Sequence, residues 1–396
     1  MNFKIIISIN TAWNIYNFRL GLIKALLDQG YQVIAVAPDD EYSQRLKDLG
    51  CNFISLPMDN NGTHPGRDLL LLARYWLLLR SEQPAAYLGY TVKPNVYGSL
   101  AAQALGIPVI NNIAGLGATF INDNFLTRIV RGLYRFALYR SHRVFFQNAD
   151  DQKLFTTTGL VRSEITDLLP GSGIDLTRYL PVPPSAMVAR SVRFLLVARM
   201  LKDKGIREFA EAARIVRLRF PETEFQLLGA VDAANSNSIP AEEIKAWEAQ
   251  GLVRYLGKTD DVRPYLAAAD CVVLPSYREG VPRSLLEAAA MARPIIATDA
   301  VGCRDVVDDG INGLLCQVGN ADDLAEKMMR MIDFSPRQRV EMGAAGRRKV
   351  EAEFDERIVI QKYLAVLGDL AGEKKSSNNI KKTSIQSPAR GAGKFK

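Results

Sequence analysis

Histidine and cysteine are scarce in this chain, at two and four of 396 residues. His64 and His142 are too few for a histidine-based metal site and stand beside no nucleophile pattern, so both read as structural. Cys51, Cys271, Cys303 and Cys316 are too scattered for a disulfide framework or a paired-cysteine metal site. A reducing, cytoplasmic setting is the simplest expectation. Long apolar runs are also missing. Leu69–Leu79 is interrupted by Arg74 and falls short of the roughly 20 residues that span a bilayer. Phe3–Ile9 is apolar but short and lacks a cleavage pattern, so it reads as a buried strand rather than a leader. The chain is expected to be soluble or, at most, to lie on a membrane. Acidic residues are absent after Lys374, where seven basic residues gather, so the net charge of +7 belongs to that stretch and the body is balanced. A balanced body argues against a nucleic-acid-binding protein.

A hydrophobic content of 48% is ordinary for a large globular core, and the length favours two or three domains. Apolar strands alternate with helices. Lys4–Ile9 is followed by a helix over Asn17–Gln29, then by strands Gln32–Ala37 and Asn52–Leu56 around a helix over Glu41–Leu49. Helices over Asp68–Arg80 and Pro94–Ala104 lead to a strand at Pro108–Ile113. Continuous apolar strands alternating with helices predict parallel sheets covered on both faces. The pattern pauses at Pro170–Pro184, rich in proline and glycine, and then restarts with Arg193–Val197. The expected fold is therefore α/β, with two Rossmann-like βα domains facing across a cleft. The boundaries read 1–170, a linker 171–190, a second domain 191–355, a terminal helix 356–372 crossing back to the first domain, and a disordered basic tail 373–396.

The most informative segment is Pro275–Glu287. It follows the apolar strand Cys271–Leu274 and places Glu279 and Glu287 eight positions apart, around Gly280, Val281, Pro282, Arg283 and Ser284. Gly280 permits close backbone approach, and Pro282 fixes the chain before a helix. Free amides at a helix start suit a phosphate, and carboxylates beside them suit a polyhydroxylated group. A plain alternative is a capping box, Ser284 with Glu287. Arg199 and Lys204 form a second pair, in the loop between strand Arg193–Val197 and the next helix. Two cations there can converge on a diphosphate, or simply be a solvated basic loop.

In the first half, Asn10–Asn17 is a polar loop in which Asn14 and Asn17 face a cleft ligand or cap a helix. Ala114–Ala118, carrying Gly115 and Gly117, is placed in the same way. Leu126–Val144 reads as a helix on which Arg128, Arg131, Arg135, Arg140 and Arg143 interleave with apolar residues. It suits a membrane surface, or a core helix with a solvated basic face.

The ordered series in the second half resembles the family 4 glycosyltransferases of GT-B architecture. It runs from Val197-Ala198-Arg199 and Lys204-Gly205 through Tyr255-Leu256-Gly257, Glu279-Gly280, Leu286-Glu287-Ala288 and Arg293-Pro294-Ile295-Ile296 to Asn312-Gly313. The resemblance implies a retaining, metal-independent transfer from a nucleotide-sugar, with UDP as the nucleotide, carrying a hexose or N-acetylhexosamine, with no cofactor. It implies that Arg199 and Lys204 neutralise the diphosphate, that Glu279 contacts the sugar and that Glu287 holds the ribose. Lys258 implies the base loop, and Gly229 joins the donor-binding set. The opening of the first half resembles the bacterial subgroup that extends lipid-linked oligosaccharides. The implied acceptor is a polyprenyl-diphosphate-linked saccharide at the inner face of the plasma membrane. An epimerase of the same architecture, or a transferase with a non-lipid acceptor, is the rival.

Overall fold

The computed structural model describes residues 3–59, 64–116, 125–182, 192–232 and 235–385, with backbone alone for 125–127 and 373–385. The first lobe runs β1 (Lys4–Ser8), α1 (Ala12–Asp28), β2 (Gln32–Ala37), α2 (Ser43–Asp48), β3 (Asn52–Ser55), α3 (Pro65–Glu82) and β4 (Ala86–Tyr90). A wide helical turn, Pro94–Gly98, leads into α4 (Ser99–Ala104). Then come β5 (Val109–Ile113), α5 (Phe125–Leu138), β6 (Arg143–Phe146), α6 (Ala149–Thr157) and β7 (Thr166–Leu168). Their strands form one parallel sheet in the order β3-β2-β1-β4-β5-β6-β7.

The second lobe contains β8 (Arg193–Val197), α7 (Ile206–Arg217), β9 (Glu224–Leu228), α8 (Ala241–Ala249), β10 (Arg254–Tyr255), α9 (Arg263–Ala268) and β11 (Cys271–Leu274). It continues with α10 (Arg283–Ala290), β12 (Ile295–Thr298), β13 (Gly313–Cys316), α11 (Ala321–Asp333) and α12 (Pro336–Glu353). Its sheet is also parallel, in the order β10-β9-β8-β11-β12-β13. Each lobe has cores on both faces of its sheet, which is why its strands are apolar without alternation. A last helix, α13 (Glu356–Ile385), packs Val359, Tyr363, Val366, Leu367 and Leu370 into the core of the first lobe.

Four sequence expectations change. Helix α1 begins at Ala12, not Asn17, because Thr11 caps it by accepting from the Asn14 amide at 3.1 Å. Asn14 and Asn17 are therefore helical, and neither is the cap. The basic helix ends at Leu138, so Arg140 lies in the following turn and Arg143 on β6. Strand–helix alternation continues through β6, α6 and β7 to Leu168, beyond the strands legible in composition. Helix α13 continues to Ile385, past the expected break at 372, and residues 386–396 lie outside the described residues.

Candidate active site

In both sheets the strand order reverses once, between β1 and β4 in the first and between β8 and β11 in the second. Loops leaving the carboxyl ends of the two strands at such a reversal diverge and leave a crevice. Arg199 and Lys204 follow β8, and Glu279 follows β11, so the two predicted groups meet at the reversal of the second sheet. The two loops are bound together. The Tyr277 amide donates to the Asp203 carbonyl at 2.9 Å. Gly205 has φ +69°, and a Cβ there would stand 2.2 Å from the Pro275 carbonyl oxygen, so only glycine admits this approach.

Lys204 Nζ donates to Glu279 Oε1 at 2.5 Å, and Ser276 Oγ donates to the same oxygen at 2.7 Å. Both charged side chains are largely buried. Arg199 is exposed at the mouth of the same loop and makes no side-chain ion pair or hydrogen bond among the described residues. The site thus holds one neutralised pair and one open cation.

Helix α10 starts with Pro282 as its cap and has no side-chain cap bond, so the proposed Ser284–Glu287 capping box does not form. Ser284 comes two residues after the cap position, inside the helix whose start Pro282 fixes. Glu287, nearly buried, instead accepts on Oε1 from Tyr179 Oη at 2.8 Å and from Arg283 Nε at 3.1 Å. Burial pushes the Tyr179 hydroxyl well above its usual range, and the Glu287 carboxylate adds to that, so it stays a donor. Arg283 Nη1 also donates to Ser172 Oγ and to the Gly173 carbonyl, both at 3.1 Å, which ties the linker to the site. Its guanidinium lies 5.5 Å from the centre of the Phe18 ring on α1. Glu287 Oε2 carries no bond among the described residues, and the Leu285 and Leu286 amides both turn back to Pro282, leaving the Arg283 and Ser284 amides at the helix start.

Gly229 ends β9 with φ +151°. A Cβ there would lie 1.7 Å from the Ala198 carbonyl oxygen, so glycine brings the ends of β8 and β9 together. Its amide donates to Gly257 at 2.8 Å, which places the loop holding Lys258 next to it. Lys258 itself is exposed, with no side-chain partner among the described residues.

The first lobe answers less of the expectation. Asn14 contributes its amide to the Thr11 cap, and Asn17 Nδ2 donates to the Trp13 carbonyl at 3.0 Å, so both amide side groups sit on α1 rather than in an open loop. Gly115 has φ +115°, and a Cβ would meet the Gly280 amide nitrogen at 2.9 Å, so this loop touches the donor-side loop directly. Gly117 lies outside the described residues. Sequence reasoning missed Tyr179, Ser276, Gln147, Asn148 and Asp151. The last three carry a recognisable signal: Asn148, three residues before Asp151, caps a helix that directly follows strand β6.

Among the described residues no group of three or more His, Cys, Asp or Glu side chains could hold a metal ion, and no helix is long and apolar enough to cross a membrane.

Comparison with known proteins gives a consistent result. Residues 191–333 match the family model described as glycosyl transferases group 1, and residues 4–148 match glycosyl transferase 4-like. The chain is 30% identical over 372 residues to the N,N'-diacetylbacillosaminyl-diphospho-undecaprenol alpha-1,3-N-acetylgalactosaminyltransferase of Campylobacter jejuni, covering 89% of this chain and 94% of that one. It is 23% identical over 278 residues to the UDP-Gal:alpha-D-GlcNAc-diphosphoundecaprenol alpha-1,3-galactosyltransferase of Escherichia coli, covering 67% of this chain and 71% of that one. Among solved structures, HepE of Anabaena in complex with UDP and glucose superposes with a TM-score of 0.76 at 19% identity, over 93% of this chain and all of that one.

Proposed function

The chain belongs to the group 1 glycosyl transferases and has their two-lobed GT-B architecture, and from that premise we propose that it transfers a hexose or N-acetylhexosamine from a UDP-sugar to a polyprenyl-diphosphate-linked saccharide, with retention and without a metal. The observation that carries this reading is the meeting of Arg199, Lys204 and Glu279 at the reversal of the second sheet, beside the start of α10. The relatives named above support the lipid-linked acceptor, and the complexed neighbour supports UDP.

The chemistry follows from charge. A donor diphosphate needs cations that act as its charge grows during bond breaking. Arg199 offers a fork, Lys204 a point charge, and the Arg283 and Ser284 amides a partial positive end. Entry of the sugar gives Glu279 hydroxyl donors in place of the ammonium, which frees Lys204 for phosphate. The open Oε2 of Glu287 accepts from ribose hydroxyls. Gly229, Gly257 and Lys258 line the base side. The acceptor hydroxyl attacks on the face that the diphosphate leaves, and the departing phosphate oxygen takes its proton. Glu279, close to the sugar, stabilises positive charge at the anomeric carbon, as carboxylates do in glycoside hydrolysis. With two cations doing this work, a divalent ion is not required, and no cofactor is needed.

The acceptor reaches the site from a membrane. Helix α5 and the turn that follows it expose Ile129, Phe136 and Tyr139, with Arg128, Arg135 and Arg140 beside them, and Phe136 is 73% exposed. Helix α3 adds exposed Leu69, Leu70 and Leu77. A basic surface with apolar anchors suits an anionic bilayer, so the protein is peripheral on the inner face of the plasma membrane.

A thermal-shift panel of nucleotides tests the donor. UDP and UDP-sugars are expected to raise Tm and GDP or ADP to do so far less; no shift with any nucleotide would remove the reading. Incubation with a polyprenyl-diphosphate saccharide in the presence of EDTA should give product with the donor's anomeric configuration, and donor alone should give no epimer.

A further inference from the structure

Glu279 is set by its own lobe, but the residues on either side of it are held by the other lobe. Arg278 forms an ion pair with Asp151, whose side chain is fully buried at the start of α6. The Gly280 carbonyl accepts from Asn148 Nδ2 at 3.2 Å. The Val281 amide donates to Gln147 Oε1 at 3.3 Å. Backbone meets backbone between these bonds: a Cβ on Gly280 would lie 2.3 Å from the Ala114 carbonyl oxygen. Glu279 itself donates its amide to Val301 of the second lobe at 3.0 Å.

We propose that Gln147, Asn148 and Asp151 are positioning residues that fasten the loop around Glu279 to the first lobe, so that the carboxylate is set for reaction only when the lobes are closed. The assignment of Glu279 rests on the function proposed above; the fastening does not.

The three residues are themselves braced. Asn148 uses its two ends differently. Its Oδ1 caps α6 by accepting from the Asp151 amide at 2.8 Å, while its Nδ2 donates to Asp151 Oδ2 at 3.1 Å and to Gly280. Gln147 Nε2 donates to Asn112 Oδ1 at 3.4 Å, and Asn112 Nδ2 donates to the Tyr363 hydroxyl at 3.1 Å. Tyr363 is on α13, the helix that returns from the second lobe. The chain of bonds therefore starts at the loop beside Glu279 and ends on the element that joins the lobes. Burial raises the Asp151 carboxyl, and Arg278, a residue of the opposite lobe, acts against that rise. Opening the cleft costs the loop all three bonds and separates the carboxylate from its cation, which favours closure once a ligand fills the gap.

The test uses the full chain and two readouts. In Asp151→Asn and Gln147→Ala, hydrogen exchange of the peptide covering 276–284 is expected to speed up at least about ten-fold, with the rest of the second lobe unchanged. The kcat of transfer should fall roughly 10- to 100-fold while the donor KM stays within about three-fold, the pattern of a displaced catalytic group. Should the buried substitution fail to fold, Arg278→Gln removes the same ion pair from its more exposed side. Arg278→Lys, which keeps the cation, should recover most of the lost kcat. Unchanged exchange of the loop, or unchanged kcat with faster exchange, overturns the proposal. If no nucleotide binds the wild type, the function proposed above fails, and exchange alone still decides the fastening.

Discussion

The two lobes share one architecture and use it differently. Both sheets reverse their strand order once, the place where open parallel sheets leave a crevice. In the second lobe the loops beyond the reversal are charged: Arg199, Lys204 and Glu279 occupy them. In the first lobe the matching loops after β1 and β4 carry Asn10 and Thr11, then Thr91 at φ +57°, and a helix starts at once. On the function proposed above, the difference gives chemistry to one lobe and grip to the other. Substitutions sharpen it. Glu279→Gln is expected to lower kcat roughly 10²- to 10³-fold with UDP binding largely kept. Asn17→Ala, at the nominally equivalent level of the first lobe, should change kcat less than about three-fold by the same kinetic comparison. Steady-state kinetics with a lipid-linked acceptor reads both. Equal losses would mean that the first lobe takes part in the chemistry.

The same difference decided what the sequence could reveal. Glu279 to Glu287 is one short stretch between two apolar strands, and Lys204, the cation that pairs with Glu279, lies on the loop of the adjacent strand. Strand adjacency across 75 positions is a property of the parallel βα order, so local reading sufficed. The two βα lobes also followed from strand–helix alternation. Two kinds of information were lost. Asn14 and Asn17 looked like a polar loop because Thr11, one hydroxyl earlier, is a competent cap and moves the helix start forward. Gln147, Asn148 and Asp151 carry in sequence only the signal of a helix start, and their partners, Arg278, Gly280 and Val281, belong to the other lobe. No periodicity records a contact made by docking.

Close packing at the strand ends gives a second contrast. Gly229 has φ +151° and no room for a Cβ, whereas Gly30 in the first lobe has φ +78° and open space around it. Gly229→Ala is expected to cost about 3 kcal/mol or more, from clash added to backbone strain, and Gly30→Ala about 1–2 kcal/mol, from backbone strain alone. Urea denaturation measures both. A Gly229→Ala protein as stable as wild type would show that β8 and β9 do not approach as described.

A smaller effect separates the faces of the first lobe. Phe136→Ser together with Arg135→Glu on α5 should lower partition into anionic vesicles by about ten-fold or more, since one aromatic burial and one favourable charge are lost. Substituting exposed Leu218 of the second lobe, 87% exposed but off that face, should leave partition unchanged. Cosedimentation with vesicles of defined phosphatidylglycerol content distinguishes the two. Equal effects would move the membrane contact away from α5.

The mildest test lies where the lobes and the linker meet. Glu356 opens α13, and its amide donates to the Ile174 carbonyl at 3.1 Å. A Cβ on Gly21 would meet its carboxylate at 2.6 Å, and one on Gly173 would meet its Cα at 2.4 Å, so α1 and the linker both close on it. Burial raises its carboxyl, and the nearby Asp175 raises it further against Arg283 and Lys24. Asp175 behaves oppositely. Burial pushes it up, but donors from Thr177 and Arg178 outweigh that and hold it below the usual range. The signs of linkage differ accordingly. A carboxyl raised in the fold favours folding while protonated and loses that advantage as pH climbs past its unfolded value, so Glu356→Gln should raise Tm at pH 8 and do nothing below about pH 4. A carboxyl lowered in the fold stabilises above its unfolded value and stops doing so as pH falls through its folded one, so Asp175→Asn should lower Tm at pH 8 and approach wild type in acid. Differential scanning across pH 3–8 reads both. Parallel shifts of the two variants would mean that neither carboxyl is held as the junction's geometry requires, and the hinge between the lobes would then need another source of rigidity.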